Sequence, residues 1–158
     1  MDLDKAYSWL CNQRKKYSHN SDIWDLRFHW DQKKVQIQNE LQFGTYRFKP
    51  LTLYRFKEKA ILVWSAEDSL VLKAMAEFLK PLIKKTVSTR CTHLKGNGGL
   101  KKTIQRVYHA LPHYKHFVRC DVKSFYSSID HELLLGMLKK LIHDPILLNL
   151  LDKATNFL

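Results

Sequence analysis

The chain has 158 residues, with 27 Lys and Arg against 15 Asp and Glu, a net charge of +12. Apolar residues make up 45%, with eight Phe, seven Tyr and four Trp, which excludes intrinsic disorder and permits one real core; no apolar run approaches the roughly 20 residues of a membrane span. Three scattered cysteines, Cys11, Cys91 and Cys120, form no disulfide framework, and the N-terminal Met-Asp-Leu-Asp-Lys lacks a signal-peptide apolar region, so a reducing, cytoplasmic compartment is expected.

Leu3, Tyr7, Leu10 and Arg14 fall at helical spacing over residues 2–20, followed by a polar turn. Ser21 and Asp22 read as caps for a short segment holding Trp24, Leu26, Phe28 and Trp30. A further helix is expected from about Asp31 to Gln42, stopped by Gly44. From Thr45 the period changes: Tyr46, Phe48, Leu51, Leu53 and Phe56 read as extended chain interrupted by Pro50, and Ala60–Trp64 as a short strand. Together they predict a hairpin with a basic tip. Ser65 with Asp68 resembles a capping box for a helix carrying Leu70, Val71, Ala74, Met75, Phe78 and Leu79, which Pro81 restarts or kinks. Residues 86–99 are a loop, and 100–111 a helix broken by Pro112. Residues 116–121 alternate like a buried strand that ends on a carboxylate, Asp121. A turn then leads to a helix near 130–142, and Asp144-Pro145 opens another. This order predicts an α+β chain, helix-rich with a small antiparallel hairpin.

Charge is unevenly spread: residues 1–60 carry a net +5, residues 61–120 a net +8, and residues 121–158 a net −1. A basic body of this kind suits a polyanion, because each neutralised phosphate releases counterions; a basic surface kept only for solubility is the plainer account. Gly96–Thr103 nearly fits the phosphate-loop pattern G-x-x-x-x-G-K-[ST], but Lys101 stands where the second glycine is required and no clear strand precedes it, which argues against a nucleoside triphosphatase. Two readings stay open there: helix N-terminal amides that hold a phosphate with Lys95, Lys101 and Lys102, or glycines that only turn the chain. His109, His113 and His116 are interrupted by Pro112, and no C-x-x-C pair exists, so zinc is not expected. Arg119–His131 carries the strongest local pattern: a strand delivers Asp121, and a tight turn presents Phe125 and Tyr126. A carboxylate so placed is a hard-oxygen ligand suited to magnesium and phosphoryl transfer; the alternative is that it merely ends the strand.

Asp-Val-Lys-Ser-Phe-Tyr-Ser-Ser-Ile-Asp-His, from Asp121 to His131, resembles the first catalytic motif of bacterial reverse transcriptases of the group II intron-like lineage. Upstream, Gly44–Pro50, the hairpin, Glu67–Ala74 and Cys91–Gly99 follow in that family's order. The resemblance covers about residues 20–158. It implies an N-terminal helical extension over 1–44, basic fingers over 45–115, and the first strand and helix of a right-hand polymerase palm over 116–158. It further implies that Asp121 is catalytic and, with the Val122 carbonyl, binds Mg2+ (or Mn2+). Phe125 and Tyr126 would meet the deoxynucleoside triphosphate, Tyr126 beneath its sugar, while Lys57 and Lys59 grip its triphosphate. Arg90 and Lys95 would approach template or nucleotide phosphates. The partners implied are an RNA template and a DNA or RNA primer. Where the family has Asp-Arg, this chain has Asp68-Ser69. No Tyr-x-Asp-Asp occurs in the sequence, so this segment is expected to be inactive alone and to need a palm and thumb, supplied by a C-terminal partner or by a remainder of the chain. A non-catalytic RNA- or DNA-binding protein is the rival reading. The last helix, with Ile146, Leu147, Leu150 and Leu151, is then expected to expose apolar surface.

Overall fold

A computed structural model of the chain describes all residues except 57, 58, 95, 157 and 158, together with the side chains of 56 and 59. The fold is α+β, helix-rich with one small antiparallel two-stranded sheet. It divides into two units, one of residues 1–82 with 130–158, the other of residues 83–129.

In the first unit, α1 (Leu3–Gln13) starts where the Asp2 carboxylate accepts from the Lys5 N–H at 3.0 Å, and Leu3, Ala6 and Leu10 are buried. Ile23 and Leu26 of α2 (Asp22–Phe28) are buried as well. α3 (Trp30–Gln42) buries only Ile37, so it is held chiefly by contacts such as the 3.9 Å stack of Trp30 on Tyr7. The chain leaves α3 through Gly44, whose φ of +68° suits glycine and whose missing Cβ leaves room for Ile146. Tyr46 and Phe48 then follow as irregular chain, both buried.

The hairpin pairs β1 (Thr52–Phe56) with β2 (Lys59–Val63), Thr52 opposite Val63 and Tyr54 opposite Ile61. α4 (Ala66–Lys84) begins as the capping-box reading anticipates: Ser65 Oγ accepts from the Asp68 N–H at 3.1 Å and donates to the Asp68 carboxylate at 2.6 Å. Leu70, Val71, Ala74, Met75 and Leu79 repeat at three and four residues, so one stripe of α4 enters the core. Pro81 does not restart this helix; it lies within it.

α6 (His131–Lys139) and α7 (Pro145–Thr155) are capped by the carboxylates of Asp130 and Asp144. Here one expectation fails. Leu147 and Leu150 are buried and only Ile146 stands exposed, because α7 lies against Gly44 and its Lys153 ammonium donates to the Gly44 and Tyr46 carbonyls at 3.3 and 3.2 Å. Closure of the first unit therefore joins α7 to the segment around Gly44 and Tyr46, about a hundred residues earlier.

A second expectation fails in the other unit. Residues 116–121 form no strand: they are exposed irregular chain, and among the described residues the sheet holds only β1 and β2. Alternation proposes a strand, but backbone N–H and C=O groups need a neighbouring strand to form one. Among the described residues no helix is long and apolar enough to cross a membrane.

An ionic ladder ties α2, α3 and α4 together: Lys33 bridges Asp25 and Glu67, and Lys49 also reaches Glu67. Burial opposes the charge on Glu67, yet the hydrogen bonds from Lys33 and Lys49 outweigh it and hold the carboxyl below its usual range. Hydrogen bonds from Lys73 and Lys80 hold Glu77 down to about 2. Such groups bind more protons when unfolded, so their stabilisation is complete above about pH 4.3 and is lost as pH falls below it. Tyr46 has the opposite sign: burial, then the Asp68 carboxylate, push its phenol far up. That contribution is complete below about pH 10 and is lost as pH rises beyond it. Thermal midpoints followed by circular dichroism should therefore fall on both sides of a plateau between about pH 5 and 9. A midpoint that keeps rising above pH 10 would contradict the Tyr46 assignment.

Candidate nucleic-acid interface

Residues 83–129 carry ten Lys and Arg and one carboxylate, Asp121, so this unit holds +9 of the chain's +12. Its glycine loop is a series of tight turns. The Cys91 N–H donates to the Ser88 carbonyl, Leu94 to Cys91 and Asn97 to Leu94, at 3.0 to 3.1 Å. The Asn97 side chain donates back to the Cys91 carbonyl at 3.0 Å, and the Gly99 N–H to the Thr92 carbonyl at 3.0 Å. Gly98 needs its glycine: φ is +98°, and a Cβ would stand 2.2 Å from Lys102 Cδ. Lys102 therefore lies over the turn.

α5 (Gly99–Ala110) starts directly from this loop, without a side-chain cap, so its first amides carry the positive end of the helix dipole. Lys101 and Lys102 sit in that first turn, both exposed. Thr103 Oγ1 lies 2.5 Å from Thr92 Oγ1 and 3.0 Å from the Gly99 carbonyl, which fastens helix to loop. Arg90 is exposed, with its N–H on Ser88 Oγ at 3.2 Å. Lys95 lies outside the described residues. Tyr108, Tyr114 and Phe117 are exposed among these cations, the interleaving of rings and charge that single-stranded nucleic acid uses.

Asp121 is exposed, and its carboxylate accepts from the neighbouring Val122 N–H at 3.1 Å. Three residues on, Ser124 adopts φ +54° and ψ +41°, an uncommon conformation for a residue with a Cβ. It turns the chain into a short 3-10 helix, Phe125–Ser128, closed by the Ser128 N–H on the Ser124 carbonyl at 3.0 Å. Phe125 and Tyr126 meet edge to face at 5.3 Å, with Tyr126 86% exposed. The turn expected after the carboxylate is thus present, whereas the strand before it is not.

Asp121, Val122, Phe125, Tyr126, Arg90, Lys101 and Lys102 share this unit. Lys59 belongs to the other, where its backbone opens β2 opposite Phe56; its side chain, like all of Lys57, lies outside the described residues. Among the described residues no group of three or more His, Cys, Asp and Glu stands together to hold a metal ion. One exposed carboxylate and a backbone carbonyl do not by themselves fit a magnesium site, which takes several oxygen ligands in octahedral geometry.

No family model matches the chain. The putative COX1/OXI3 intron 1 protein of Saccharomyces cerevisiae is 24% identical over 123 residues, covering 75% of this chain. This chain is similar to an intron protein. The match spans 15% of that relative's length.

Sequence reasoning missed a second feature, in the first unit. Arg14, at the end of α1, is almost fully buried, with its guanidinium on Asp22 at 3.3 Å, the Trp64 carbonyl at 3.0 Å and Ser69 Oγ at 2.6 Å. Its position on the apolar stripe of α1 was the available signal, since an arginine is seldom buried without partners.

Proposed function

We propose that this chain is the nucleic-acid-gripping N-terminal part of a protein related to the group II intron-like reverse transcriptases, that is, of an RNA-directed DNA polymerase. The observation that carries this reading is the concentration of +9 in residues 83–129 around one carboxylate, Asp121, which is followed by an exposed aromatic turn. The likeness to an intron protein supports it. In this reading residues 45–115 are fingers and 116–158 begin the palm. Arg90, Lys95, Lys101 and Lys102 hold the phosphates of an RNA template and a DNA or RNA primer. Lys57 and Lys59 hold the triphosphate of a deoxynucleotide, and Phe125 and Tyr126 bound its sugar.

Asp121, with the Val122 carbonyl, is this chain's share of a Mg2+ or Mn2+ site. The described residues do not complete that site, so no chemical step is assigned to this chain by itself; in this reading the remaining carboxylates belong to the rest of the palm, in a partner or in a remainder of the chain. The lone carboxylate also favours a second reading, a non-catalytic RNA-binding protein.

Fluorescence anisotropy with single-stranded RNA tests the shared part of both readings. Binding should weaken steeply with salt, and Asp121→Ala should bind as tightly as wild type or somewhat more tightly, because a negative charge leaves a phosphate-binding face. No binding at low salt, or loss of binding in Asp121→Ala, would overturn the assignment. Primer extension separates the readings: a protein that includes a complementary palm segment and extends a primer is the polymerase, with Asp121→Ala inactive. Binding without extension leaves the RNA-binding role.

A further inference from the structure

We infer that a cleft in the first unit, between the turn after α1 and one face of the β1–β2 hairpin, is a subsite for a nucleobase of single-stranded RNA, with Tyr17 and Tyr54 as stacking platforms. The inference rests on the RNA-binding reading above and adds a contact that the basic residues of 83–129 do not supply.

The cleft measures about 470 Å3, within the roughly 300–1,000 Å3 of small-ligand sites. Its floor is Arg14. Because the guanidinium already bonds Asp22, the Trp64 carbonyl and Ser69 Oγ, the floor is electrically satisfied and is a poor phosphate site. One wall is Tyr17, whose N–H donates to the Arg14 carbonyl at 3.1 Å and whose ring lies 5.4 Å from the same guanidinium. The turn behind it is pinned by the Trp24 indole, which donates to the Ser18 carbonyl at 3.0 Å. The opposite wall is the hairpin: Thr52 and Tyr54 alternate onto one face, and register places Val63 across from Thr52 on that face.

Both tyrosines line the cleft and remain about half exposed, Tyr17 at 47% and Tyr54 at 59%. A buried core would not leave two rings so open on one cleft. The rim is polar, with Asn20, Ser18 and Ser65 among its side chains, and the one carboxylate that lines it, Asp22, is paired with the Arg14 guanidinium at 3.3 Å. An aliphatic ligand would strand those groups, and a phosphate would meet no free cation within the cleft. A nucleobase uses both parts, since its face stacks on an aromatic ring and its edge takes amide and hydroxyl hydrogen bonds. The cations that a strand needs lie beside one wall in the chain: Lys15 and Lys16 precede Tyr17, both exposed. That arrangement argues for a base within a strand over a free nucleotide.

The test uses the 158-residue chain and a short single-stranded RNA carrying 2-aminopurine or 4-thiouridine. Stacking should quench the 2-aminopurine, and 4-thiouridine should photocrosslink to Tyr17 or Tyr54, located by mass spectrometry of the wild-type protein. Tyr17→Ala and Tyr54→Ala should each weaken RNA binding about ten- to a hundred-fold with an unchanged salt slope, because no phosphate contact is lost; Tyr17→Phe should bind like wild type. RNA binding that survives both alanine substitutions, with no crosslink in the cleft, would overturn the subsite while leaving the RNA-binding reading intact. Absence of any RNA binding by wild type would remove that reading and this inference with it. A free mononucleotide that competes as well as the strand would overturn the strand assignment.

Discussion

Asp68→Ala should destabilise the first unit by about 3–5 kcal/mol, a large share of the roughly 5–15 kcal/mol that holds a domain together. Asp68 is fully buried. Its carboxylate accepts from Tyr46 Oη at 2.8 Å, Ser65 Oγ at 2.6 Å and the Lys49 N–H at 3.2 Å. Truncation removes three hydrogen bonds to a charged group and leaves the buried Tyr46 hydroxyl without its acceptor. Asp68→Asn keeps the shape and one acceptor oxygen, so its cost should be clearly smaller. Tyr46→Phe removes one bond and should cost about 1–2 kcal/mol. Urea titration followed by tryptophan fluorescence gives all three values. An Asp68→Ala protein as stable as wild type would show that the carboxylate does not hold residues 46–49 against α4.

The largest functional effect is expected from Lys101→Glu with Lys102→Glu. Both lysines stand in the uncapped first turn of α5, and Lys102 lies over Gly98, where the helix dipole and the ammonium groups act on the same anion. Reversing both charges should weaken single-stranded RNA binding by about ten- to a hundred-fold, and should make the plot of log affinity against log salt shallower by about 1 per lysine. The fold should survive, because α5 buries no residue and both side chains are exposed. Affinity that falls with an unchanged slope would mean that these lysines do not touch phosphates. The tyrosine substitutions in the first unit are expected to behave in the opposite way, with affinity lost at constant slope, so the two classes of contact are separable in one titration series.

The α+β class, helix-rich with a small hairpin, was readable from period alone. The end of α3 was legible because Gly44 punctuates it, and the start of α4 because Ser65 and Asp68 are three residues apart. The turn after Asp121 was legible too, although nothing in the sequence announced that Ser124 would adopt a left-handed conformation. The candidate site was therefore visible as a motif while its backbone was not. The strand over 116–121 failed for a definable reason: alternating residues describe one strand, and a strand exists only when another lies beside it. α7 failed in the reverse direction, for its apolar face finds cover from residues near Gly44, about a hundred positions earlier in the chain.

By itself the sequence determined the stop of α3 near Gly44, the start of α4 at Ser65 and of α7 at Asp144, the hairpin and the excess of cations over residues 61–120, because each of these depends on residues within a few positions of one another. Only the tertiary structure decided that Arg14 is buried on Asp22 and Ser69, that Lys153 ties α7 to Tyr46, and that Tyr17 and Tyr54 line one cleft. Those pairings bring together residues 8 to 107 positions apart. Their energies are set by burial and by which partners happen to meet, quantities that no local pattern along the chain encodes.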